Sequence, residues 1–223
     1  MHSVFNGTTN PAPQAGAYTL AFAPDLTQPA TPQGSGFGTA TVTRKGAIRF
    51  AGTLADGTVI MQGASLSPDG EWPFFIPLAN GKGSISGILK FQDELLDGIL
   101  AWFKPQTRTP LYPAAFTATV AVEGSRFVKN PTLPASALIT FNGGGIAIPN
   151  LTVPRSGTKK YFAPGFVLKL DAATGLLTGK FTAPGEMKTR ALGGVFLTKQ
   201  QRGAGFFRGG VQQTGGFALI SAP

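Results

Sequence analysis

Turn-forming glycines recur at a nearly constant spacing in the first half of the chain. The segments RKG, ADG, SPDG, NGKG and LDG end at residues 46, 57, 70, 83 and 98, which are 11 to 15 positions apart. This interval leaves room for strands of about five to ten residues joined by tight turns. Between the turns, apolar and polar residues alternate. The pattern therefore predicts a meander of antiparallel β-strands.

Helical periodicity is weak along the chain. The best helical candidate, DELLDGILAWF, is interrupted by Gly98, and we expect a strand from Leu95 to Phe103 instead. The segment NGKGSISG places a lysine among glycines, but a phosphate-binding loop would open a helix, and the next residues alternate as in a strand. Asn80-Gly81 therefore indicates a hairpin turn.

The chain also contains an internal repeat. Residues 36–58 align with residues 165–186, so that Gly46 falls on Gly175. The identity between the two segments is low, but their turn residues follow one another in the same order. This spacing is typical of a duplicated β unit.

We predict an all-β fold, namely an antiparallel, closed or nearly closed β-barrel built from two pseudo-repeated halves. The halves cover about residues 16–112 and 130–223 of a single β-barrel domain, residues 16–223. We expect them to share one core, because each half alone would have too few strands to close and so remove its exposed edges. Residues 1–15 are predicted to form a flexible N-terminal segment.

Missing residue types exclude several classes of site. The chain has no cysteine, and its one histidine is His2. These absences exclude disulfides, thiolate metal sites and a cysteine nucleophile, and they argue against a histidine zinc site or a serine–histidine–acid triad. No run of about 18 apolar residues is present, so no membrane-spanning segment is expected. No signal peptide is visible, yet many glycines and few charges favour an extracellular or cell-surface protein.

Two small groups of residues are candidates for ligand binding. Asp93, Glu94 and Asp97 are the one cluster of carboxylates and supply the oxygen ligands that calcium prefers, although acidic residues are also common in turns. We expect no other cofactor. Trp72 and Trp102 offer aromatic platforms for a saccharide at a barrel rim, or else fill the barrel ends as core residues.

Charge gives the clearest functional signal. Residues 1–112 contain seven Lys or Arg and seven Asp or Glu, whereas residues 113–223 contain twelve and three. An acidic polysaccharide or an anionic envelope surface fits this excess best, nucleic acid fits it less well, and a basic face without a specific ligand is the alternative. The candidate polyanion-binding residues are Lys159, Lys160, Lys188, Arg190, Lys199, Arg202 and Arg208.

Four motifs follow one another in residues 52–104: GTLADGT, G-x-W-P, GKGS and G-x-L-x-W-x-K. In this order they resemble a β-rich module found near the ends of large, poorly characterised surface proteins of environmental bacteria. The later segment GGVFLTKQQRGAGFFRG is similar to that family's closing segment. The resemblance covers nearly all of the chain beyond the first 15 residues. It implies a shared fold and export, and it assigns no catalytic or binding residues.

Three functions fit these observations. The first is a noncatalytic extracellular or cell-surface module that binds an anionic glycan or envelope component through its basic second half. The second is a cation-dependent hydrolase that acts on a small ester, lactone or glycoside, since a bound metal can activate water without a histidine. The third is a structural spacer domain.

Overall fold

A computed structural model describes residues 5–223; residues 1–4, which include His2, lie outside the described part of the chain. The described residues form sixteen β-strands and no helix, which confirms the all-β prediction. The first eight strands are β1 (Gly16–Ala23), β2 (Gly36–Val42), β3 (Ala47–Thr53), β4 (Val59–Ser65), β5 (Glu71–Leu78), β6 (Gly83–Gln92), β7 (Leu95–Lys104) and β8 (Phe116–Arg126). The other eight are β9 (Ser136–Gly143), β10 (Leu151–Pro154), β11 (Lys160–Ala163), β12 (Phe166–Leu170), β13 (Leu176–Thr182), β14 (Thr189–Leu197), β15 (Arg202–Arg208) and β16 (Thr214–Ser221).

The first barrel is an eight-stranded antiparallel sheet in the order β4-β3-β2-β1-β8-β7-β6-β5. Its two edge strands, β4 and β5, lie side by side without ladder hydrogen bonds, so the barrel is nearly closed. Proline explains this seam, because Pro73 and Pro77 on β5 lack the N–H groups that a ladder to β4 would need. The Gln62 side chain partly replaces that ladder: its Nε2 donates to the Pro73 carbonyl at 3.0 Å, and its Oε1 accepts from Trp72 Nε1 at 3.1 Å.

The second barrel has the strand order β10-β9-β16-β15-β14-β13-β12-β11. An isolated antiparallel bridge between Arg155 and Tyr161 spans the seam between β10 and β11. In both barrels the first strand pairs with the last and the others follow as a meander, which confirms two similar halves. The sequence repeat is nevertheless shifted, since it aligns β2 and β3, the second and third strands of their barrel, with β12 and β13, the fourth and fifth of theirs.

Each barrel encloses its own core, whereas the sequence led us to expect a shared one. In the first barrel, Phe50, Trp72 and Phe74 pack ring to ring, with centroids 5.3 to 5.6 Å apart. In the second, the Phe181 and Phe207 rings meet edge to face at 5.0 Å. The expectation failed because it undercounted strands: β1 and β8 join the first sheet and raise it to eight strands. Eight strands are enough to close a barrel that side chains can fill.

Glycine provides space for these phenylalanines. Gly38 and Gly52 are partners on β2 and β3, and a Cβ atom on either would approach the Phe50 ring to 2.5 or 2.8 Å. The predicted turn at Gly46 is also present, with a φ of 76° that glycine adopts without strain. Gly98, by contrast, lies inside β7, as the strand prediction for this segment required.

The two barrels pack against each other through outward-facing residues of β1, β2 and β8 on one side and β14 and β15 on the other. The centre of this interface is apolar and contains Ala21, Phe37, Val195, Leu197 and Ala204. A buried hydrogen bond also crosses it, from Thr19 Oγ1 to the Phe196 carbonyl at 2.9 Å. The described part of the N-terminal segment packs on the first barrel, where Phe5 and Ala12 join the core.

Candidate polyanion-binding face

The excess positive charge belongs to the second barrel. Residues 1–126, which include the first barrel, contain eight Lys or Arg and eight Asp or Glu. Residues 127–223, which include the second barrel, contain eleven Lys or Arg and two carboxylates. One barrel is therefore formally neutral and the other carries a formal charge of +9.

Ion pairs neutralise three of the seven predicted polyanion-binding residues. Lys199 pairs with Glu94, and Arg202 pairs with Glu123, so both cations connect the second barrel to the first. Arg190 pairs with Glu186 at 2.7 Å and also donates to the Gly209 carbonyl at 3.0 Å. These three residues therefore contribute less to an anion-binding surface than their charges alone indicate.

Three other lysines lie together on the outer face of β11, β12 and β13, and we call this surface the lysine face: Lys160, Lys169 and Lys180, with Phe162. Lys160 and Lys169 are direct cross-strand partners. Lys180 lies two residues beyond Thr178, the partner of Lys169, and so at a diagonal position about 7–8 Å away. No carboxylate occurs in these three strands, and none of the three lysines forms an ion pair within residues 5–223.

An aromatic ring lies among these charges. Phe162 is 53% exposed because it follows the inward Tyr161 on β11 and so points outward. The Lys160 ammonium lies over the Phe162 ring, 4.6 Å from its centroid. Next to this ring is a shallow pocket of about 160 Å³, which Val167 and Lys180 also line. The face thus offers an apolar surface surrounded by point charges.

A second basic feature adjoins the lysine face at the end of the barrel. It is a cleft of about 310 Å³, which we call the basic cleft, lined by Asn130, Pro131, Thr132, Arg155, Thr158 and Lys159. Arg155 is held in place because its Nη1 donates to the Leu133 carbonyl at 2.7 Å. The cleft adjoins the lysine face at the seam of the barrel, because Arg155 bridges to Tyr161 on β11 and Lys159 directly precedes that strand; we call the two together the cationic strip.

Asp171 lies beside this strip, and its pKa is lowered. Hydrogen bonds from the Ala173 backbone N–H and the Thr174 side chain, with a smaller effect of the Lys159 charge, lower the pKa of Asp171. Asp171 lies just past the end of β12, two residues from Lys169, and within residues 5–223 no ion pair joins it to a lysine of the face. The remaining predicted residues, Lys188 and Arg208, are exposed and lie outside the three strands of the lysine face, in the turn before β14 and at the end of β15. Lys188 directly precedes Thr189, which also lines the pocket beside Phe162.

Both tryptophans lie inside the first barrel. Trp72 is fully buried and Trp102 is 3% exposed, so neither ring presents the exposed platform that we predicted for a saccharide. Their burial follows from strand parity, because each alternates with outward residues on its strand. Trp102 Nε1 has no hydrogen-bond partner within the described chain. The cavity that Trp102 lines measures about 10 Å³, enough for about one water molecule and far too small for a sugar.

The three carboxylates of the predicted calcium site have separate surroundings. Glu94 contacts Lys199 and also lies 3.7 Å from Arg126 Nε, and the hydrogen bond from Lys199 is the main cause of its lowered pKa. Asp97 is the cross-strand partner of Lys90 on β6, while Asp93 occupies the turn between β6 and β7. Within residues 5–223, no three His, Cys, Asp or Glu side chains are grouped as a metal site would require. Calcium binding here stays a prediction.

Sequence reasoning did not select Lys169, Lys180 and Phe162 as site residues. The signal was present, since in FVLKL and LLTGKFT each lysine alternates with inward apolar residues and so points outward. The sequence alone does not show that β11, β12 and β13 pair. This pairing brings Lys169 and Lys180 onto one surface with Lys160.

A comparison of the chain with protein-family models finds no match, and a search of curated proteins finds none either. Over residues 5–223, the structure contains no helix with the length and hydrophobicity needed to cross a membrane. The fold and the surface together define the class of protein: two packed, nearly closed eight-stranded barrels, one of which carries a cationic strip on its outer surface.

Proposed function

We propose that the protein is a noncatalytic module of the cell surface that binds an anionic glycan through the lysine face and the basic cleft. The observation that carries this proposal is the grouping of Lys160, Lys169 and Lys180 around an exposed Phe162 without any carboxylate on the three strands. The proposed location of the protein at the cell surface rests on its composition and on the family resemblance.

The arrangement of the lysines favours a bound anion. Like charges at directly opposed positions of a sheet destabilise it, and Lys160 and Lys169 are such a pair. A carboxylate or sulfate group between them would remove this repulsion. Ammonium groups suit such a ligand because they are mobile point charges that follow irregularly spaced anions.

Phe162 favours a sugar over a nucleic acid. Proteins that bind single strands stack successive bases on several aromatic rings. On β11, β12 and β13 the one exposed ring is Phe162, and the other two phenylalanines of these strands, Phe166 and Phe181, are buried. One ring can pack against the apolar face of one sugar residue while the lysines contact the acidic groups beside it.

Affinity for acidic polysaccharides tests the proposal. The full chain is applied to immobilised heparin and to immobilised polygalacturonate, and the salt concentration at elution is compared among three proteins. These are the wild type, the triple variant Lys160→Gln, Lys169→Gln and Lys180→Gln, and the control triple variant Arg44→Gln, Arg49→Gln and Lys82→Gln. The control removes the same charge from exposed sites on the first barrel.

We expect the lysine-face variant to elute at much lower salt and the control to elute near the wild type, because the contacts are local. Equal shifts in both variants would show attraction by net charge alone and would contradict the proposal. Failure to bind, or binding that high salt leaves unchanged, would also contradict it. Tighter binding of a single-stranded DNA oligomer, lost in the same variant, would assign the face to nucleic acid instead.

A further inference from the structure

The first barrel has an exposed apolar surface that no part of the second barrel covers. It consists of outward side chains on β4, β5, β6 and β7, and we call it the apolar face: Val59, Met61, Phe75, Ile88, Ile99 and Phe103. These side chains are between 45% and 72% exposed. The interface with the second barrel uses β1, β2 and β8 of the first barrel, so the apolar face lies on different strands.

One row of the apolar face crosses β5, β6 and β7 without a polar residue. Ile88 on β6 is the partner of Pro73 on β5 and of Ile99 on β7. Six side chains of this size at this exposure present on the order of 600 Å² of apolar surface, the upper end of what a monomer exposes. Ile88, Ile99 and Phe103, on β6 and β7, form the centre of this surface, and Val59, Met61 and Phe75 lie on the side towards β4.

A row of charges borders the apolar face. Glu71, Lys90 and Asp97 are successive partners across β5, β6 and β7, so a cation lies between two carboxylates. None of the three forms an ion pair within 4.0 Å in the described chain. The row continues to Glu123 on β8, which pairs with Arg202 at the edge of the interface between the barrels.

The two central charges of this row, Lys90 and Asp97, are complementary across a two-fold axis, whereas the outer two, Glu71 and Glu123, are both acidic, and Glu123 already pairs with Arg202. A two-fold axis parallel to the strands and between β6 and β7 exchanges the positions of these two strands. It would place Lys90 of one copy opposite Asp97 of a second copy, and Ile88 opposite Ile99, at two equivalent places. We propose that the apolar face binds a second copy of this chain in this arrangement and forms a symmetric dimer.

The chain already shows how two of its barrels associate. The interface between the first and second barrels has small apolar residues such as Ala21 and Val195 at its centre and the Glu123–Arg202 ion pair at its edge. The apolar face has the same plan, an apolar centre with charges beside it. The proposal concerns the first barrel alone and does not depend on glycan binding.

Sedimentation equilibrium of the full chain tests the proposal. At about 100 µM, where a dimer of micromolar affinity is almost fully formed, we expect the mass of a dimer. Ile99→Glu places a charge at the centre of the contact and should raise the dissociation constant at least ~100-fold. Met187→Glu is the matched control, because Met187 is fully exposed on the second barrel, and it should leave the constant unchanged.

Charge reversal makes the test specific to the proposed arrangement. Lys90→Glu or Asp97→Lys alone should weaken the dimer about tenfold, and the two together should restore it, because each copy then supplies the opposite charge. A wild type that is monomeric at this concentration would overturn the proposal, as would a dimer that Ile99→Glu leaves intact. Attachment of monomers to phosphatidylcholine vesicles through the same residues would overturn it in favour of a lipid surface.

Discussion

The two barrels have the same strand number and closure but very different outer surfaces. The first is formally neutral and exposes apolar side chains on β4 to β7. The second carries all of the formal net charge and exposes lysines on β11 to β13. Inside, both are filled with aromatic rings. The inward positions of each strand therefore determine the shared fold, while the outward positions are free to acquire different binding properties.

The largest expected effects come from the two separate cores. Phe74→Ala in the first barrel and Phe181→Ala in the second each remove a buried ring and should cost about 3–5 kcal/mol. Both tryptophans lie in the first barrel, so tryptophan fluorescence during urea unfolding reports that barrel, while far-ultraviolet circular dichroism reports both. We expect Phe74→Ala to shift the fluorescence midpoint far more than Phe181→Ala does. Equal fluorescence shifts would show that the barrels unfold as one unit.

A buried ion pair distinguishes the first barrel from the second. Lys104 Nζ lies 3.1 Å from Asp56 Oδ2, and both side chains are less than 10% exposed. In the repeat, the segment ADGT that contains Asp56 aligns with APGE in the second barrel. That second segment also supplies an ion pair, Glu186 with Arg190, but the Glu186 side chain is 33% exposed.

Removing Asp56 from the buried pair should be more costly than removing Glu186, whose side chain is 33% exposed. Asp56→Ala leaves Lys104 buried without its partner and should cost about 3 kcal/mol, whereas Glu186→Gln should cost about 1 kcal/mol or less. The double variant Asp56→Leu with Lys104→Met should recover most of the loss, because no isolated charge remains. Urea denaturation measures all three, and a double variant as unstable as Asp56→Ala would contradict this account.

A smaller effect concerns the contact between the barrels. The hydrogen bond from Lys199 lowers the pKa of Glu94 in the folded protein. The carboxylate therefore stabilises the folded state above its ordinary pKa of about 4.5, and this contribution is lost as the pH falls through the lowered value. We expect the difference in urea midpoint between wild type and Glu94→Gln to be constant above pH 5 or so and to shrink steadily below it. A difference that does not vary between about pH 3 and pH 7 would show that the ion pair contributes nothing.

The sequence predicted the strands better than it predicted their partners. Turn glycines and alternation are local signals, and they located β3 to β7 with most of their turns. Pairing of β1 with β8 joins residues 16–23 to residues 116–126, and no local pattern reports such a distant contact. The same limit applies to the charged residues: the sequence selected Lys199 for anion binding, but it meets Glu94, a carboxylate of the other barrel 105 positions away in the chain.

Nuclear magnetic resonance would most directly test the assignment of anion binding to one barrel. A ¹⁵N-labelled sample of the full chain is titrated with a sulfated oligosaccharide, and the shift of each backbone amide is followed. We predict that the shifts concentrate on β11 to β13 and on residues 155–160, while the amides of β3 to β7 stay unchanged. Shifts spread over both barrels, or no shifts at about millimolar ligand, would contradict the account.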